Sequence, residues 1–213
     1  EALAGPRRYS MAALAGASLA VFFLPPDALF GAAPLETPVE ETVRAMHDLV
    51  AQGLRDEYGA FLPTYFRNVR VFNLGLSVWI HALPVAIFGK SIFVVRCTSV
   101  VVGLAGAAAL MLALKWFFQV RLWWAGGLVL GVLPAWFLHS RTAFETVMMA
   151  SFYAVFVLAY LLYRNASPWW LPAAVLTGAA TFYSYSNGQG VMFVTCLGLL
   201  IVDCRYHWRV VRS

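Results

Sequence analysis

Three short polar stretches interrupt an otherwise apolar chain, and they hold most of the side chains able to do chemistry. The first is spread along the loop 25–68, with the adjacent carboxylates Glu40 and Glu41 in "VEETV" and then Asp56 and Glu57 in "RDEYGAFLP". The second is "LHSRTAFE", with His139, Ser140, Arg141 and Glu145. The third is "FYSYSNGQG", with Tyr183, Ser184, Tyr185, Ser186, Asn187 and Gln189. A positioned carboxylate can take the proton of an incoming nucleophile, and an arginine can hold an anionic oxygen through charge-assisted hydrogen bonds. Clustered carboxylates can also hold a hard divalent cation, although no spacing here demands one. Arg141 and Glu145 stand four residues apart, so on a helix they share a face and can pair.

Ionisable groups beside hydrocarbon cost several kcal/mol unless they are paired or wet, and a protein that keeps them there usually has a cavity or a substrate in view. The same residues also admit structural roles. Arg141 with Glu145 can fasten two helices, Tyr183 and Tyr185 can be interfacial aromatics, and Asp56 and Glu57 can be a solvated turn beside Gly59. Glu40 and Glu41 can simply favour the start of a helix. His81 and His139 each read as a satisfied core or interface residue before they read as metal ligands.

The elements that carry these clusters follow from composition. With 62% apolar and 12% charged residues the chain cannot make a soluble surface, which predicts an integral membrane protein. Apolar runs fall at about 9–24, 69–88, 98–118, 122–138, 144–163, 169–185 and 191–202. They are continuous and do not alternate, so the expected fold is all-α, a polytopic bundle of about six or seven transmembrane segments. The loop 25–68 is far longer than an ordinary connection, and "PVEETVRAMHDLVAQG" places Val43, Met46, Leu49 and Val50 at helical spacing. An amphipathic helix lying on the membrane surface fits that pattern.

Arg7 and Arg8 precede the first run and Arg205, Arg209 and Arg212 follow the last, which places both ends on the cytoplasmic side and the acid-rich loop 25–68 outside. Seven full crossings would separate the ends. The stretch 69–98, interrupted by Pro84, Gly89 and Lys90, is the one expected to fall short. If the fifth run returns inward at Arg164, all three polar clusters face outward.

A net charge of +5 alone would admit nucleic acid, but the basic residues stand singly between apolar runs, as helix anchors do, and nucleic-acid binding is excluded. Cys97, Cys196 and Cys204 lack any paired or metal-binding spacing and read as packing residues. A transporter would need polar residues at mid-membrane, and "VVVGLAGAAALMLAL" has none.

In order along the chain, "EETVRAM", "QGLRDEYGAFLPTYFRN", "FGKSIFVVRCTSVVVG", "HSRTAFE" and "YSYSNGQG" resemble the bacterial C-type glycosyltransferases of the protein mannosyltransferase and aminoarabinose transferase superfamily. The resemblance runs from about 21 to 202. It implies a single membrane module over 1–213, with 25–68 as its first outer loop and a further C-terminal part in full-length relatives. It also implies a bacterial inner-membrane location, a polyprenyl-phosphate-linked sugar as donor, membrane lipids around it, and an active site on the outer face.

By that resemblance the acidic pair of the first outer loop falls on Glu40 and Glu41, which would supply the catalytic base, with Asp56 or Glu57 next and shaping the acceptor entrance. Arg141 would contact the donor phosphate, Glu145 would orient Arg141, and Tyr183 and Tyr185 would line the donor site. Gln189 stands where relatives often carry an arginine, and Glu40 stands where they commonly carry an aspartate. The small residues between 103 and 109 would leave a groove for the lipid tail. No cofactor is required, though a divalent cation can assist at the carboxylates. Those two departures equally suit an alternative: a non-catalytic subunit with the same fold, packed against other membrane proteins in a larger complex.

Overall fold

The structure, a computed structural model, describes residues 53, 55, 59, 61, 64–68, 71–89, 91–139 and 145–212. These residues are predominantly helical. The chain enters through a clamped turn in which the Arg55 guanidinium donates to the Gly59 carbonyl at 2.7 Å and lies over the Phe61 ring at 5.7 Å. Strands β1 (Tyr65–Asn68) and β2 (Val71–Leu74) then pair antiparallel, with Tyr65 opposite Leu74 and Asn68 opposite Val71. The Gly75 amide, bonded to the Thr64 carbonyl at 2.7 Å, closes this hairpin at the start of the first helix.

Helix α1 (Leu76–Phe88) is therefore shorter than the apolar run 69–88 that predicted it, because Val71–Leu74 of that run form β2. Pro84 does not end it. The helix continues to Gly89, whose amide caps the Val85 carbonyl. Thirteen residues reach only about 20 Å, short of the ~30 Å hydrocarbon core.

Helix α2 (Ile92–Trp116) starts where the Ser91 hydroxyl accepts from the Phe93 amide at 3.2 Å, an N-cap that satisfies one of the open donors. The run 122–138 then becomes two short helices, α3 (Ala125–Val132) and α4 (Pro134–His139). Between them Leu133 is extended, with ψ 114°, as a residue before proline is pushed to be. Helix α5 (Glu145–Asn165) carries Glu145 at its positive end and Arg164 in its last turn, both favourable to the helix dipole. A 3-10 turn (Pro168–Trp170) leads to α6 (Leu171–Ser184), α7 (Ser186–Val202) and the basic α8 (Cys204–Arg212).

Helix α5 is the centre, with α2 and α6 packed on it. Gly106 of α2 presses on Ser151, so small residues bring α2 close to α5, with Gly103, Ala107 and Ala109 buried and Ala105 and Ala108 exposed. A second core joins Phe156 and Ala159 of α5 to Ala174 of α6 and Met192 of α7. Large apolar side chains such as Val129, Phe193 and Ile201 remain exposed, as a lipid-facing surface allows. Among the described residues α2 and α5 are long and apolar enough to cross a membrane, while α1 and α7 are apolar but shorter.

Candidate functional site

The most buried polar group sits where α1, α2 and α5 meet. His81, one turn after Ser77 on α1, is fully buried on an apolar helix. Its Nδ1 lies 2.7 Å from the Ser77 carbonyl, which can only accept, so Nδ1 carries the proton. Its Nε2 lies 3.0 Å from the Ser99 hydroxyl of α2. Ser99 can give its single proton to Nε2 or to the Val95 carbonyl at 3.2 Å, so the imidazole stays hydrogen-bonded whether neutral or charged. The Ser77 hydroxyl points the other way and makes a long 3.5 Å contact to the Glu145 carboxylate at the head of α5. One helical turn thus links a carboxylate, two hydroxyls and an imidazole across three helices.

Just beyond Glu145, the Thr146 hydroxyl lies 2.7 Å from His139 Nδ1, joining the end of α4 to the start of α5. His139 and His81 therefore both have partners of the kind expected for structural histidines.

The direction of the helices decides what else reaches this end. Gly188 of α7 packs on Met149 and on the Thr181 carbonyl, Tyr153 meets Thr195 at 3.1 Å, and Tyr160 meets Asp203. Helix α7 thus runs alongside α5 in the same sense, and the α6–α7 turn at Tyr185 lies beside the head of α5. Glu145, Tyr183, Tyr185 and Gln189 consequently share one end of the bundle. Tyr185 and Gln189 are half-buried, while Tyr183 is exposed and set edge-on to Phe182. Glu40, Glu41, Asp56, Glu57 and Arg141 lie outside the described residues, and so does the pairing of Arg141 with Glu145. Among the described residues no three His, Cys, Asp or Glu side chains gather as metal ligands.

At the opposite end stands a cluster the sequence reading did not anticipate. Asp203 accepts from Arg164 Nε at 2.9 Å and from the Tyr160 hydroxyl at 2.7 Å. Tyr163 bonds His207 Nδ1 at 3.0 Å and stacks on its ring, and the Tyr206 hydroxyl reaches the Tyr163 carbonyl at 2.9 Å. Arg164 lies over the Tyr206 ring at 4.1 Å. Burial alone would raise the Asp203 carboxyl, but the hydrogen bonds from Tyr160 and Arg164, helped by the charges of Arg164 and His207, hold it below its usual value. The signal was the lone acid Asp203 directly before a basic segment, 39 residues from Arg164. Lys115, set over the Trp123 ring at 4.9 Å, sits at this end too, since α2 and α5 run the same way.

Compared with protein-family models, with curated proteins and with solved structures, the chain matches nothing.

Proposed function

We propose that the chain is the membrane module of a glycosyltransferase that moves a sugar from a polyprenyl-phosphate donor to an acceptor at the outer face of a bacterial inner membrane. The observation that supports this reading is the gathering of Glu145, Tyr185 and Gln189 at one end of the bundle, opposite Lys115, Arg164 and Arg205. Cations concentrate on the cytoplasmic side of membrane proteins, so on this reading the end with Glu145 and Gln189 is the outer one. On this reading the shorter apolar helices, together with the run 9–24 outside the described residues, complete a bundle of six or seven segments, and 25–68 forms the outer loop.

The chemistry needs a base for the acceptor and a partner for the departing phosphate. Glu40 or Glu41 is the proposed base, Asp56 and Glu57 line the acceptor side, and Arg141, oriented by Glu145, holds the phosphate. Tyr183, Tyr185 and Gln189 line the donor side. Transfer of a labelled sugar from a polyprenyl-phosphate donor, measured for Glu40→Gln and Glu41→Gln separately, tests the assignment: one of the two is expected to lose at least 100-fold in rate. Full transfer by both variants removes them as the base.

A second reading is favoured by one feature, the amide Gln189 where the resembling family often has arginine. An amide offers the phosphate no charge. On that reading the chain is a non-catalytic subunit of a larger membrane complex, and stoichiometric copurification with other membrane proteins, without transfer activity in the wild-type chain, would decide for it.

A further inference from the structure

Arg96 stands one turn before Ser99 on α2, at the end of the bundle that holds Glu145. It shares its side of the helix with Val100, Gly103 and Ala107, at i+4, i+7 and i+11, and all three are buried. A lipid-facing anchor would instead lie on the side of Val101 and Ala105, which is exposed. Arg96 is part-buried, its Nε is covered by protein, and among the described residues its guanidinium has no hydrogen bond and no ion pair.

Other described cations contrast with it. Arg55, Lys115 and Arg164 meet a carbonyl, a ring and a carboxylate, Arg205 is engaged, and Arg121 is exposed. The Glu145 carboxylate, at the same end as Arg96, meets the Ser77 hydroxyl at 3.5 Å and does not pair with Arg96. Arg96 lies about 15 Å along α2 from Gly106, where α2 crosses α5, and half of the hydrocarbon core is also ~15 Å. Lipid phosphates stand just beyond that boundary. A cation at this depth, turned into the bundle, is left uncompensated unless an anion reaches it.

We infer that Arg96 is the seat of a phosphate anion at the Glu145 end of the bundle. A guanidinium can give a phosphate two parallel charge-assisted hydrogen bonds, the pairing that its planar fork suits best. Depth favours a phosphate borne by a lipid over inorganic phosphate. Naming that lipid a polyprenyl phosphate rests on the sugar-transfer reading, in which Arg96 adds a second cation to the proposed Arg141.

The test uses the full chain in uncharged detergent, with farnesyl phosphate, farnesol and inorganic phosphate as probes and native mass spectrometry as the readout of retention. The parent is expected to retain one farnesyl phosphate about tenfold more strongly than farnesol. Arg96→Met is expected to lose that preference and Arg96→Lys to keep part of it. Because Arg96 has no partner to lose among the described residues, the ligand-free thermal midpoint of Arg96→Met should stay within about 3 °C of the parent. Farnesyl phosphate that outcompetes inorganic phosphate identifies a lipid-borne anion, and equal competition a free one; both support the seat at Arg96. Equal retention of farnesyl phosphate and farnesol by the parent overturns the inference, as does an undiminished preference in Arg96→Met. A large fall in the ligand-free midpoint of Arg96→Met also overturns it, since the arginine would then be a structural group with a partner in the chain. A parent that retains farnesyl phosphate but transfers no sugar sinks the sugar-transfer reading alone, whereas transfer by Arg96→Met with the parental KM sinks this inference alone.

Discussion

Gly106 of α2 and Ser151 of α5 meet backbone to backbone: a Cβ on Gly106 would stand 2.5 Å from the Ser151 Cα. Carbon atoms prefer about 3.5–4.0 Å, so any side chain at 106 must push the two longest apolar helices apart. Gly106→Leu is expected to cost about 3 kcal/mol. Ser151→Ala is the contrasting variant, because its Oγ is buried without a hydrogen-bond partner among the described residues, and removing it should leave stability within about 1 kcal/mol of the parent. Thermal unfolding midpoints in one detergent compare the two; a Ser151→Ala loss as large as that of Gly106→Leu would show that the hydroxyl, not the close approach, holds the crossing.

His81 depends on Ser99 for its Nε2 partner. Ser99→Ala strands a fully buried nitrogen and is expected to cost about 1–3 kcal/mol, whereas Ser99→Thr keeps the hydroxyl and should recover most of it. Nitrogen NMR of the His81 ring checks the tautomer: the proton belongs on Nδ1, facing the Ser77 carbonyl. A proton found on Nε2 alone contradicts this arrangement.

Asp203 makes the docking of α8 sensitive to acid. Its carboxyl is held below the usual value in the folded state, so the stability it contributes is complete above the ordinary carboxylate range, near pH 4, and is lost as pH falls through the lowered folded value. Asp203→Asn should remove that contribution at neutral pH and speed hydrogen exchange in α8 several-fold, with little change in α2. The parent and the variant should converge at low pH. A constant gap between them down to pH 2 would mean that the carboxylate charge is not what holds α8.

Gln189 offers a gain-of-function test of the sugar-transfer reading. Gln189→Arg places a cation at the end that bears Tyr185 and Glu145, and a donor phosphate should bind it more tightly. The expected result is a KM for polyprenyl-phosphate sugar lowered about tenfold with kcat little changed, the pattern of added uniform binding. An unchanged KM would place the phosphate elsewhere.

Much of the helical layout was legible because it rests on local rules. The runs behind α2 and α5 were long and apolar enough to cross, and helix length follows from the run itself. The run 69–88 misled because apolarity is shared by strands and helices, and only pairing of Val71–Leu74 with Tyr65–Asn68 decides between them. Of the candidate site residues, Glu145, Tyr183, Tyr185 and Gln189 are placed at one end, while Ser77, His81 and Ser99 joined the site without any spacing signal, since their hydrogen bonds cross between helices.

The amino-acid sequence by itself determined that this is an apolar, helical, membrane-type chain with a few isolated polar clusters, because transfer free energy and local capping depend only on residue type and near neighbours. The tertiary structure alone decided that Asp203 meets Arg164 across 39 residues, that Gly106 meets Ser151 backbone to backbone, and that an apolar groove opens between α6 and α7. Those outcomes depend on which helices run parallel and at what height they cross, and helix register is a property of packed pairs that no single segment carries.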